Sequence, residues 1–109
     1  MHRVRANADV FRAIADPTRR AILDRLRAGP TPVNALAAGF AASRPSISKH
    51  LKILHEAELV AEDKRGRERL YRLRPETLAE VAAWADGYRR FWNTSLDNLK
   101  RYLEEEGEE

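Results

Sequence analysis

Apolar positions recur at helical spacing along the first half of the chain and change period after residue 58. In residues 8–15 (ADVFRAIA), Val10, Phe11 and Ile14 share one face and predict a short first helix. Asp16-Pro17 is a cap followed by a proline at the first helical position, and it opens a second helix over 17–27 with Ile22, Leu23 and Leu26 inward. Gly29-Pro30 ends it. Thr31-Pro32 repeats the cap-then-proline signal and predicts a short third helix, with Val33, Leu36 and Ala37 inward, ending near Gly39. Phe40 is expected to anchor the turn in the core. Ser43 caps a fourth helix with Pro45 in its first turn, an apolar stripe of Ile47, Leu51 and Leu54, and Ile53 on the flank.

From Leu59 the pattern alternates. Residues 59–63, a charged tip KRGR at 64–67, and residues 68–74 predict a β-hairpin, with Gly66 supplying positive φ at the tip. Pro75 opens a last helix running to about Glu105, some 45 Å at about 1.5 Å per residue. Leu78, Val81, Trp84, Ala85, Tyr88, Phe91, Trp92, Leu96, Leu99, Tyr102 and Leu103 mark its apolar side. So small a body cannot cover that helix, so pairing with a second copy is the expected use. Folding back over its own core is the competing reading.

The elements make a mainly α fold with a small β-hairpin: helix, helix, helix, helix, hairpin, helix. With 109 residues, 43% hydrophobic and 34% charged, the chain fits one domain. Residues 8–74 form its core, 76–105 the long helix, and 104–109 an acidic tail. There is no cysteine, which excludes disulfides and thiolate chemistry. No segment reads as a signal peptide or membrane span, so a cytoplasmic location and no membrane partner are expected. The net charge of +3 hides an asymmetry: the last six residues, EEEGEE, hold five of the 17 acids, leaving 20 basic against 12 acidic side chains elsewhere, a net of +8. A body so basic suits a polyanion.

Helices three and four, joined by a tight turn and followed by the hairpin, make a winged helix-turn-helix. In that geometry the second helix of the pair enters the major groove by its N-terminal end. The residue types fit. Ser43, Ser46 and Ser48 carry hydroxyls for phosphates or base edges, Arg44 can fork onto guanine or phosphate, and Lys49 and Lys52 supply point charges. His50 can do either job, Pro45 shapes the first turn, and the helix N-terminus offers N–H groups to a phosphate. Residues 43–55 contain no acid. The hairpin tip, with Lys64, Arg65, Gly66, Arg67 and Arg69, is placed for the adjacent minor groove or flanking phosphates.

The stretch SRPSISKHLKILHEAELV resembles the recognition-helix signature of the ArsR family of winged-helix transcriptional repressors, and ADPTRRAILDRL resembles that family's second helix. The resemblance spans nearly the whole chain. It implies a homodimer on an inverted-repeat operator in double-stranded DNA, read through residues 43–52. It also implies an interface built from the first helix (Val10, Phe11, Ile14) and the last (Leu78, Val81, Trp84, Tyr88, Phe91, Trp92, Leu96, Leu99, Tyr102). Many members sense metals through a Cys-x-Cys pair on the third helix or a His/Asp/Glu cluster on the last. Pro32 and Asn34 stand at the former positions here, and no histidine follows His55. His2, His50 and His55 do not converge by spacing, so no metal and no cofactor are expected. The residue after the recognition helix, usually glycine, is Glu58. A left-handed conformation there would cost on the order of 1 kcal/mol.

The aromatic group Trp84, Tyr88, Phe91, Trp92 and Tyr102 reads as dimer core rather than a small-molecule pocket, and the sequence names no effector. An enzyme is not expected, since the acids are scattered and no phosphate loop or nucleophile motif occurs. The rival function is a winged-helix module that docks protein through its apolar last helix without binding DNA. The contiguous basic face argues against it.

Overall fold

The structure, a computed structural model, describes residues 9–107. Residue 8, His2 and tail residues 108–109 lie outside the described residues. The chain runs α1 (helical over 9–14), α2 (Pro17–Leu26), β1 (Thr31–Pro32), α3 (Val33–Ala38), α4 (Arg44–Glu56), β2 (Val60–Arg65), β3 (Glu68–Leu73), a 3₁₀ turn (Pro75–Leu78), α5 (Ala79–Asp86) and α6 (Arg89–Gly107). Among the described residues no helix is long and apolar enough to cross a membrane.

Helix α2 starts as its sequence dictates. Asp16 is the cap, its Oδ2 accepts the Arg19 amide at 3.0 Å, and Pro17 follows. Gly29, at φ 131°, turns the chain out of the helix. The expected cap at Thr31 is not one. Thr31 Oγ1 donates to the Gly29 carbonyl at 2.9 Å, and Thr31–Pro32 forms an edge strand, Thr31 opposite Tyr71 and Pro32 opposite Leu70. The sheet therefore has three strands, in the order β1-β3-β2, not the two of a bare hairpin. A proline fits this edge because the position demands no ladder N–H. Helix α3 then starts without a side-chain cap.

In α4 Ser43 Oγ accepts the Ser46 amide at 3.3 Å. Strand β2 runs two residues further than expected, to Arg65 opposite Glu68, leaving a two-residue turn with Gly66 at φ 61°. The core gathers Ile22, Leu26, Leu36, Ile47, Leu51, Leu54, Leu59 and Val60 between α2, α3, α4 and the sheet, and among the described residues no charged or polar residue is buried with them. Val10, expected at an interface, is 1% exposed and belongs to this core. The inward side of α1 is spent within the chain. Ile14 and Phe40 pack against the core's edge, whereas Ile53 lies exposed.

The single last helix expected from Pro75 is broken twice. It begins as the 3₁₀ turn, and its i−4 ladder is interrupted at Gly87 and Tyr88, whose amides bond back three residues to Trp84 and Ala85. Leu78 and Val81, before the second break, are half-buried against the core. Beyond Trp84 the apolar side is bare: Phe91, Trp92, Leu96, Leu99, Tyr102 and Leu103 are all at least 50% exposed.

Candidate nucleic-acid interface

The core stripe of α4 turns the opposite face of that helix outward. Arg44, Pro45, Ser48, Lys49 and Lys52 are exposed along it, and Ser46 is half-buried. Arg44, Ser48 and Lys52 line one side of an open groove, and Arg67 and Arg69 of the hairpin line the other. The cations expected on two separate elements thus share one concave surface. Lys64 stands directly opposite Arg69 in the ladder. Like charges facing each other across a strand pair destabilise it, and the Glu62 carboxylate, 3.4 Å from Arg69 Nε, offsets part of that repulsion. Lys64, Arg65 and Gly66 sit at the exposed tip, outside the residues that line the groove.

Not every expected contact survives. The N–H groups at the start of α4 are mostly taken: Pro45 has none, Ser46 donates to Ser43 Oγ, and Ile47 donates to the Ser43 carbonyl. That narrows the backbone contribution to Arg44. The Ser43 hydroxyl accepts as a cap and keeps its own O–H to donate. His50, expected at the DNA, is turned away from the front. Its Nδ1 lies 3.3 Å from Arg19 Nη1 and 3.9 Å from Asp16 Oδ2, and its side chain is 20% exposed.

Asn34, His55, Glu62, Glu68 and Tyr71 also line the groove, and their spacing along the chain does not mark them for it. The turn before α3 and the pairing of β1 with β3 carry Asn34 there, a placement that local spacing does not report. Glu62 is an acid in a basic groove, but it is engaged: Arg69 Nε lies 3.4 Å from its Oε1, and Tyr71 Oη donates to its Oε2 at 3.3 Å. Burial pushes the Tyr71 phenol above its usual range, and the Glu62 charge adds to the shift. Arg72 pairs with Asp63 at 3.1 Å on the exposed part of the hairpin. Asp16 is held below the usual carboxylate range, first by the Arg19 amide and then, against some desolvation, by the Arg19 charge.

The comparisons agree with this architecture. A helix-turn-helix domain family matches residues 14–63. The chain is 40% identical over 99 residues to the HTH-type transcriptional regulator Rv2034 of Mycobacterium tuberculosis, covering 91% of this chain and 90% of that one. It is 42% identical over 76 residues to the transcriptional repressor SdpR of Bacillus subtilis, covering 70% and 84%. Among solved structures, the ArsR family transcriptional regulator RHA00566 superimposes with a TM-score of 0.72 at 36% identity, covering 82% of this chain and 92% of that one. The homodimeric winged helix-turn-helix DNA-binding domain Mb0332 of Mycobacterium bovis, a possible ArsR-family regulator, gives 0.66 at 28% identity, covering 80% and 81%. With its three-stranded wing, its outward basic recognition helix and these relatives, the chain belongs to the ArsR family of winged helix-turn-helix transcriptional regulators.

Proposed function

We propose that this protein is a homodimeric, cytoplasmic repressor, not an enzyme, that binds a two-fold symmetric operator. The front of α4 enters the major groove through Arg44, Ser46, Ser48, Lys49 and Lys52. The hairpin cations Lys64, Arg65, Arg67 and Arg69 lie on flanking phosphates or the minor groove. The observation that carries the reading is the single groove shared by Arg44, Ser48 and Lys52 of α4 and Arg67 and Arg69 of the wing.

Dimerisation is supported by the bare apolar side of α6 together with the rings of half-buried Phe11 and exposed Trp84. Those two rings pack edge to face at 5.4 Å. Charge favours an antiparallel pair. Helix α6 opens with Arg89 and Arg90 and closes with Glu104, Glu105 and Glu106, with no acid in its first turn and no base in its last. That is the arrangement a lone helix dipole disfavours, by about 0.3–1 kcal/mol per charge. A second copy running the opposite way sets its acidic end beside these arginines, and the local cost becomes an attraction.

Random duplex DNA titrated at 50 and 200 mM salt tests the reading. Binding that weakens about ten-fold or more is expected when several phosphates are contacted. Absent or salt-insensitive binding would favour the protein-docking alternative.

A further inference from the structure

The polar joint where α1, α2 and α4 meet lies away from the basic groove. Arg19, in the first turn of α2, donates from Nε to the Ala13 carbonyl at 2.6 Å and from Nη2 to the Arg12 carbonyl at 3.2 Å. Both carbonyls belong to the C-terminal part of α1, where the i+4 partners run out, and the Arg12 carbonyl also accepts the Ala15 amide at 3.2 Å. Arg20 Nη1 takes the next two, Ile14 O at 2.9 Å and Ala15 O at 3.1 Å. The two arginines thus capture the end of α1. Only Arg19 also passes the connection onward, because its Nη1 meets His50 Nδ1 of α4 at 3.3 Å.

We propose that Arg19 and His50 are positioning residues that fix the recognition helix against α1, and so set the separation of the two recognition helices in the dimer. The proposal rests on the homodimer reading given above. The physical ground is directional. Apolar contacts between α2 and α4 hold the helices together but tolerate small rotations, whereas a planar guanidinium bonded to two helices does not. In a two-fold pair that joins through α6 and the adjoining rings of Phe11 and Trp84, any tilt of α4 relative to α1 would appear in both half-sites.

The protonation state of His50 is part of the joint. A guanidinium only donates, so Nδ1 must offer its lone pair, which requires a neutral imidazole protonated on Nε2. A doubly protonated ring cannot accept from Arg19 and is drawn instead to Asp16 Oδ2, 3.9 Å away. The charged groups around the joint are Arg19 and Asp16 of α2, with Asp9 and Arg12 of α1 and Glu56 of α4 along the adjoining cleft. His55 stands apart from the joint, on the groove side.

The experiment uses the full chain and an operator selected by the wild type from random duplex, resynthesised with half-site spacings one base pair longer and shorter. Sedimentation first establishes the oligomer. His50→Ala is expected to stay dimeric and to lose about ten-fold of the preference for the selected spacing, the scale of one coupled contact. His50→Asn places an amide oxygen where Nδ1 sits, and it is expected to keep the preference. Arg19→Lys, which keeps the charge without the fork, is expected to loosen spacing, and it carries the comparison if His50→Ala fails to fold. Dimeric variants with unchanged spacing preference would overturn the proposal alone. Equal loss at every spacing would overturn it in favour of direct DNA contact by His50. A wild type that sediments as a monomer would overturn the dimer reading and the proposal with it.

Discussion

Glu58 holds φ at 62°, the one non-glycine residue with positive φ among those described. The chain leaves α4 there so that Leu59 can turn back into the core, its amide reaching the Leu54 carbonyl at 3.0 Å. The glutamate side chain is exposed. Glu58→Gly is therefore expected to stabilise the protein by about 1 kcal/mol, relieving a left-handed side-chain clash, and a urea midpoint will show it. Asp16 yields a prediction with a defined sign. Its carboxyl titrates below the usual range in the fold, chiefly because it accepts the Arg19 amide. Its contribution is thus present above the unfolded carboxylate pKa and is lost as pH falls through the lowered folded value. Asp16→Asn keeps a capping oxygen but cannot titrate, so its stability should decline less steeply on acidification, as followed by thermal melts across that pH range.

At the scale of elements, α5 and α6 behave as two helices whose apolar sides face different neighbours. Leu78 and Val81 serve the core, while Leu96 and Leu99 face outward. Leu99→Asp is expected to give folded monomers that no longer bind an operator tightly, because an uncompensated charge cannot enter the interface. Intact dimers in sedimentation would contradict it. The order of the helices, the α4 stripe and the hairpin could be read from period alone, because each buries one face. The Thr31–Pro32 strand could not, since two residues show no alternation and their role depends on Tyr71 and Leu70, some forty positions along. The break at Gly87 was hidden by apolar spacing that continues across it, with Trp84 and Tyr88 still in contact at 5.3 Å. Within the candidate site, residue type drew attention to Arg44, Lys49 and Lys52, which lie exposed on α4. Helical spacing could not place His50, whose direction is set by Arg19, 31 positions earlier.

For the whole molecule, none of the described residues that line the basic groove belongs to α6, so the acids of that helix take no part in the cationic lining. Arg44→Ala is expected to weaken operator binding without unfolding the protein and to lower the salt slope by about one, if it contacts a phosphate. A loss confined to one base position would place it on guanine instead, and an unchanged affinity would remove it from the interface. The bare side of α6 has a further consequence. A chain that leaves Phe91, Trp92, Leu96, Leu99 and Tyr102 in water gains much of its hydrophobic stabilisation only when it associates. Its melting temperature should then obey mass action, rising as total chain concentration rises and falling on dilution. Abundance in the cell would govern integrity and operator occupancy together.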